Sequence, residues 1–393
     1  MISVEEALAR ILALTAPLGS EKVSLRQAAG RVLADAAVSR LNQPPFDASA
    51  MDGYALCKAD HLPGQSLVLV GEAGAGHGFV GRIHPGQTVR IFTGAPLPAG
   101  ADRVVLQEDV TRNGDRIALG DKLEQSSHVR PLGQDFKFGD RLAAPRRLKA
   151  ADLALLAAMN LPEVTVARRP QVAILSTGDE LVMPGENPRP DQIIASNGFA
   201  LAAMAEEAGA EARLLPLVRD DEDSLRFAFA LAEGADVIVT IGGASVGDHD
   251  LVGKVARDLG LEQTFWKIAM RPGKPLMAGR LGTSVMLGLP GNPVSAIVCA
   301  HLFLLPLLAH LQGLEGRHIT RTARLAAQVD ANGPRAHYMR ARLADHDSAP
   351  SIAPMDRQDS ALLTILTEAN ALLIRPPHDS ARPAGGLVDY IPL

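Results

Sequence analysis

The stretch Val172-Ala173-Ile174-Leu175-Ser176-Thr177-Gly178-Asp179-Glu180 decides how this chain folds. A short apolar run, too short for a buried helix, passes directly into small polar residues and a glycine. That is the pattern of a buried strand ending in a tight loop. The pattern recurs at residues 237–241, followed by Gly242-Gly243-Ala244-Ser245-Val246-Gly247-Asp248-His249-Asp250. It recurs again at residues 284–289, followed by Pro290-Gly291-Asn292-Pro293-Val294-Ser295. A further strand reads at 213–218, and helices begin near Asn197, Ser224, Leu251 and Val294. Strands alternating with crossover helices predict a central parallel α/β domain over residues 168–312.

Outward from that domain the texture changes. Ser3 and Glu6 form a capping box for a helix with Val4, Leu8, Ile11 and Leu12 on one face. A second helix reads over 24–37, a third over 150–159, and a strand over 163–167. Residues 1–40 and 139–167 are therefore expected to form one discontinuous N-terminal helical domain. Between them, residues 41–138 carry β-branched or alternating runs at 66–70, 87–92 and 103–107, with Gly and Pro between them. This is an inserted β domain. Residues 313–393 return to short strands and turns, a small C-terminal β-barrel domain. The expected fold class is multidomain α/β plus β.

Composition excludes several functions. The 393 residues are 47% hydrophobic and 21% charged, a globular balance. A net charge of −5 and 4% aromatics argue against nucleic acid, which calls for basic faces and stacking platforms. Two cysteines, Cys57 and Cys299, are too few for a disulfide scaffold or a Cys-rich metal site. Residues 1–17 lack the basic start of a signal peptide. The apolar run 294–311 contains His301, Pro306 and His310, so it reads as a buried helix and not a membrane span. A cytoplasmic protein without a membrane partner is expected.

Three glycine-bearing loops at the carboxyl ends of parallel strands make an anion site, because ligands bind there and small residues let backbone amides approach. Its candidate residues are Thr177, Gly178, Gly242, Gly243, Ser245, Gly247, Pro290, Gly291, Asn292 and Ser295. The loops also carry the acids Asp179, Glu180, Asp248 and Asp250, with Asp220 and Asp221 after another strand. Asp at a helix start is often only a cap. Acids beside a phosphate site point instead to a hard cation such as Mg²⁺, with Glu180 and Asp250 as candidate ligands. Lys267, Arg271 and Lys274 lie in a segment stiffened by Pro272, Gly273 and Pro275, a rigid cationic clamp. Gly243 to Gly247 also matches the G-x-S-x-G nucleophile elbow, so a serine hydrolase using Ser245, with Asp345 and His378, is a rival reading. No P-loop is present.

Taken together the chain resembles the molybdopterin molybdenumtransferase family, the MoeA-type proteins that include the E domain of gephyrin. The resemblance rests on residues 46–56, on Arg90 to Pro98, and on residues 176–181, 242–250, 270–275 and 288–295, in the family's order. It implies an elongated four-domain subunit and a homodimer whose composite sites draw Asp52 and Thr93 from one subunit. It implies the last step of molybdenum cofactor synthesis: adenylylated molybdopterin and molybdate enter, and AMP leaves. An upstream adenylyltransferase and downstream molybdoenzymes are the implied partners. The site residues it implies are Asp52, Thr93, Asp135, Glu180, Asp220, Asp250, Lys267, Arg271, Lys274, Arg340 and Ser360. Asp52 could be a metal ligand or a base. Arg271 stands where the family often has Lys, and Ala195 where Asp is common. The same fold also permits a non-catalytic molybdopterin-binding scaffold.

Overall fold

A computed structural model describes residues 1–242, 251–344 and 350–393. By its internal contacts the chain divides into two units. One comprises residues 1–21, 30–34 and 166–393, and the other residues 22–29 and 35–165.

The larger unit is built on a six-stranded sheet. Its order is Glu211–Leu214, Gln171–Ser176, Val237–Ile241, Ser284–Leu289, Met277–Leu281, Glu262–Trp266. The first four strands are parallel. Met277–Leu281 runs antiparallel to both of its neighbours, which corrects the expectation of a purely parallel sheet. Strand Gln171–Ser176 has the second strand on one side and the third on the other, so the strand order reverses there. That reversal is the place where open α/β sheets bind ligands. The strand expected at 213–218 is shorter and earlier, Glu211–Leu214, because Pro216 cannot donate to the ladder.

Helices cover both faces. Asn197–Glu207 and Pro293–Cys299 lie on one face, and Glu222–Leu231 and Leu251–Asp258 on the other. The helix Val4–Leu12, capped by the Ser3 hydroxyl accepting from the Glu6 amide at 3.1 Å, packs Val4, Ala7 and Ile11 into the same core. The apolar run Pro293–Leu311 is long and apolar enough to cross a membrane, yet 72% of it is buried inside this unit. Pro306 does not break it. The preceding Ala300–Leu304 is π-helical, a widened turn that accommodates the missing proline N–H.

The carboxyl-terminal residues of this unit form a closed five-stranded barrel of Arg321–Leu325, Ala336–Ala344, Ser351–Pro354, Ala371–Arg375 and Leu387–Pro392. A short strand from the α/β domain, Met270–Arg271, pairs in parallel with Ala336 and His337.

The smaller unit holds a second six-stranded sheet. Its order is Arg103–Leu106, Gly53–Leu56, Gln87–Ile91, Ser66–Ala73, Arg116–Leu119, Val110–Asn113. It also contains the helix Ala150–Ala158. The helix expected over 24–37 is absent. A 3₁₀ turn at Leu25–Gln27 and short strands Val32–Leu33 and Ala37–Val38 stand there instead. Gly30 adopts φ +72° between them, a left-handed conformation that interrupts a helix.

Candidate functional site

At the carboxyl ends of the central strands lies a cavity of about 590 Å³. Its polar lining comes from Ser176, Thr177, Glu180, Asn197, Gly242 and Asn292, and its apolar lining includes Ile193, Ile194 and Pro275. The register Ser176↔Ile241↔Leu289 explains the convergence, since three adjacent parallel strands end level with one another. The Thr177 amide donates to the Ile241 carbonyl at 3.2 Å, and the Gly242 amide to the Leu289 carbonyl at 3.2 Å. Gly242 has φ +90°, and a Cβ there would lie 2.8 Å from the Thr177 carbonyl oxygen. At Gly178, φ +153°, a Cβ would meet Glu180 Oε2 at 2.6 Å. Glycine is required at Gly242 because the two loops meet there through backbone, whereas at Gly178 the positive φ favours glycine and the Glu180 side chain can move aside.

The acids separate into two kinds. Thr177 Oγ1 donates to Asp220 Oδ1 at 2.5 Å, and the Asp220 amide donates to Asp179 Oδ1 at 3.4 Å, so Asp220 and Asp179 brace the loop. Asp221 caps the helix Glu222–Leu231 by accepting from the Ser224 amide, and that bond holds its carboxyl below the usual range. The helix-cap reading is correct for Asp221. Glu180 is exposed and lines the cavity. Pro290 and Gly291 line it too, and Asn197 Nδ2 donates to the Gly291 carbonyl at 2.7 Å. Ser295 is 4% exposed on helix Pro293–Cys299 and does not line the cavity. Ala195 does, and it is buried. Gly243, Ser245, Gly247 and Asp250 lie outside the described residues, as do Asp248 and Asp345.

Beside the cavity runs the cationic segment. Lys267 has φ +74°, and its Nζ sits 4.0 Å from the Trp266 ring centroid. The Lys274 carbonyl accepts from the amides of Ile268 at 3.0 Å and Leu276 at 3.1 Å, closing the loop. Of this segment Pro275 lines the cavity, while Lys267, Arg271 and Lys274 do not. Arg271 Nη2 is bonded to His337 Nδ1 at 2.9 Å, a partner that sequence reasoning missed.

Arg340 is fully buried. Its Nη2 donates to the carbonyls of Arg357 at 3.1 Å and Asp359 at 3.0 Å, which folds residues 357–360 against the barrel. Its Nε and Nη1 have no hydrogen-bond partner among the described residues. Burial pulls its pKa down, Asp359 opposes this, and Arg271 adds to it. Ser360 follows on that segment. Its Oγ pairs with Asn292 Nδ2 at 3.1 Å, and its carbonyl accepts from the Val294 amide at 3.0 Å. The barrel thus ties Ser360 to the third glycine-bearing loop.

In the smaller unit Asp52 and Thr93 form a pair. Asp52 Oδ1 accepts from the Thr93 amide at 2.8 Å and from its hydroxyl at 2.7 Å, and these two bonds hold the carboxyl below its ordinary range. Arg90, also missed beforehand, stacks 5.0 Å from the Tyr54 ring and 4.9 Å from the Phe92 ring, and its charge reinforces that lowering. Asp135 belongs to a separate cavity of about 630 Å³ lined also by Phe46, Gly94, Arg130 and Gln134.

A reversed-order α/β sheet whose glycine loops frame a cavity, joined by a strand to a small closed barrel, defines a multidomain α/β protein with a ligand site at the strand-order reversal. Three family models match in sequence: the MoeA N-terminal region, domains I and II, over residues 2–160; the probable molybdopterin binding domain over 173–310; and the MoeA C-terminal region, domain IV, over 322–393. The molybdopterin molybdenumtransferase of Haemophilus influenzae is 38% identical over 317 residues, 80% of this chain and 78% of that protein. The protein of the same name from a Nostoc species is 40% identical over 75% of this chain and 70% of its own length. The molybdopterin biosynthesis MoeA protein of Pyrococcus horikoshii superposes with a TM-score of 0.83 at 31% identity, covering 100% of this chain and 99% of that one. The chain belongs to the molybdopterin molybdenumtransferase family, and it is a transferase. The hydrolase reading is set aside by this membership.

Proposed function

We propose that this chain transfers molybdenum to molybdopterin, taking adenylylated molybdopterin and molybdate and releasing AMP, as a cytoplasmic homodimer that uses Mg²⁺. The observation that carries the reading is a cluster of guanidinium groups tied to the loops of a cavity large enough for a small-molecule ligand. Among the described residues two buried donors of Arg340 have no partner, Arg271 stands near it, and Ser360 is fastened to the cavity's third loop. Buried guanidinium donors cost free energy unless a ligand satisfies them. Molybdate, a tetrahedral oxyanion, offers four acceptor oxygens. Lys274 and Lys267 lie on the same segment and add positive charge.

The residues fit a magnesium ion. Among the described residues no three His, Cys, Asp or Glu side chains form a metal cage. Mg²⁺ needs none, since it binds through one or two carboxylates with water and substrate phosphate completing the shell. Glu180, an exposed carboxylate on the cavity wall, supplies one such oxygen, and Asp250 is the second candidate. The ion would neutralise charge developing on the phosphoanhydride as AMP departs.

The chain's own residues do the remaining work. The glycine-bearing loops bring backbone amides to the phosphates. Thr177, its proton committed to Asp220, fixes the first loop. Ile193 and Ile194 present apolar surface to the ring-bearing part of the substrate. Asp52 stays ionised at neutral pH and suits a ligand or base role. The chemistry needs an adenylyltransferase to supply the substrate and molybdoenzymes to take the product. The test is AMP release in a mixture of adenylylated molybdopterin, molybdate and Mg²⁺. Binding without release would favour the scaffold reading, and light scattering decides the dimer.

A further inference from the structure

We propose that His337 is a positioning residue for the oxyanion locus: as an uncharged acceptor it fixes Arg271 while leaving the guanidinium's whole positive charge to the bound oxyanion. The proposal rests on the reading of Arg271 as part of that locus. A guanidinium has donors only, so the 2.9 Å bond from Arg271 Nη2 requires His337 Nδ1 to be unprotonated, with the ring proton on Nε2. The pairing is enforced by backbone. Arg271 and His337 are register partners where the short strand Met270–Arg271 joins the barrel strand Ala336–Ala344. His337 is 3% exposed, whereas Arg271 is exposed, so one edge of the guanidinium is anchored and the rest faces outward.

The surroundings keep the ring neutral. Burial is the main cause, and the charges of Arg271, Arg340, Arg375 and Arg335 all oppose a further proton, bringing its pKa to about 3. Arg375 is itself paired with Asp379, which leaves Arg271, Arg340 and, with the smallest effect, Arg335 as the charges facing the ring. A carboxylate in place of His337 would bond Arg271 equally well but cancel its charge. An imidazole orients without cancelling. It cannot become cationic in the working range, so it never repels the arginine it holds.

Three substitutions at this position separate orientation from charge. His337→Gln keeps a neutral acceptor and is expected to hold the KM for molybdate within about threefold of the native value. His337→Glu keeps the bond but neutralises Arg271, and His337→Leu removes the acceptor. Each is expected to raise the KM for molybdate about tenfold, or about 1.4 kcal/mol, with the KM for adenylylated molybdopterin nearly unchanged. An equal rise in both constants, or native behaviour of the Glu and Leu variants, would overturn the proposal. Should the Glu variant fail to fold, equal molybdate constants for Gln and Leu overturn it. Nitrogen-15 spectra of the folded native protein, assigned by the signal lost in His337→Gln, give a check independent of activity. Nε2–H with a bare Nδ1 from about pH 5 to 8 is expected, and the other tautomer overturns the assignment. Arg271→Met tells the two readings apart. No change in molybdate KM there removes Arg271 from the locus, whereas a rise there with inert His337 variants removes only the positioning role.

Discussion

Replacing Gly242 by alanine puts a methyl group where two loops of the cavity meet. The residue has φ +90°, so any side chain is strained there, at a cost of about 1–3 kcal/mol. The new Cβ would lie 2.8 Å from the Thr177 carbonyl oxygen, a contact that backbone must relieve by moving. That movement displaces the strand end bearing Thr177 and, through it, the bond to Asp220. A shift near 1 Å in a positioned site costs about a hundredfold in rate. The control is Gly234→Ala, where φ is +80° but nothing lies within 4 Å of the added Cβ. Both variants are expected to lose about 1–3 kcal/mol in thermal or urea unfolding. Gly242→Ala alone should lose at least tenfold in kcat/KM for AMP release. Equal activity in the two variants, or a loss confined to Gly234→Ala, would refute the argument that the Thr177–Gly242 contact sets the cavity.

Other predictions follow from the same geometry. Glu180→Gln should cut turnover by about ten- to a hundredfold and weaken the dependence on Mg²⁺, and excess chelator should stop native turnover; full activity in chelator removes Glu180 from the metal. Asp52 has a carboxyl lowered below 3.8 by Thr93, so its contribution to folding is present above that value and lost as pH falls through the lower folded value. No limb of the rate profile between about pH 5 and 9 should vanish in Asp52→Asn, and one that did would contradict the assignment. Arg340→Met leaves the Arg357 and Asp359 carbonyls without their shared Nη2 donor, so it should lower stability by about 1–3 kcal/mol and raise the molybdate KM, with unchanged unfolding as the contrary result.

Much of the α/β domain was readable because its central strands are short, mostly apolar and followed at once by glycine-bearing loops. Strands Val237–Ile241 and Ser284–Leu289 stand where residues 237–241 and 284–289 place them. The edge strand Glu262–Trp266 and its neighbour Met277–Leu281 were overlooked, since Glu262 and Gln263 at one and Arg280 at the other break the apolar pattern of a central strand. The false helix over 24–37 arose because Ala28, Val32, Leu33 and Ala37 are all buried and spaced much as on a helix, and Gly30 was given too little weight. Within the site, Thr177, Gly178, Glu180, Gly242 and Asn292 were legible as loop chemistry. His337 was not. A histidine in a strand that also carries Arg340 and Arg342 gives no local sign that its partner is Arg271, 66 residues earlier. Arg340 and Ser360 came only through family resemblance, because their meaning lies in tertiary hydrogen bonds.

The most direct measurement is a single incubation of the purified protein with adenylylated molybdopterin, molybdate and Mg²⁺, following AMP and metal-loaded molybdopterin together. The account predicts that both appear in equal amounts, that neither appears without molybdate, and that Arg271→Met slows both. AMP released at the native rate without molybdate, or substrate bound and never converted, would contradict it.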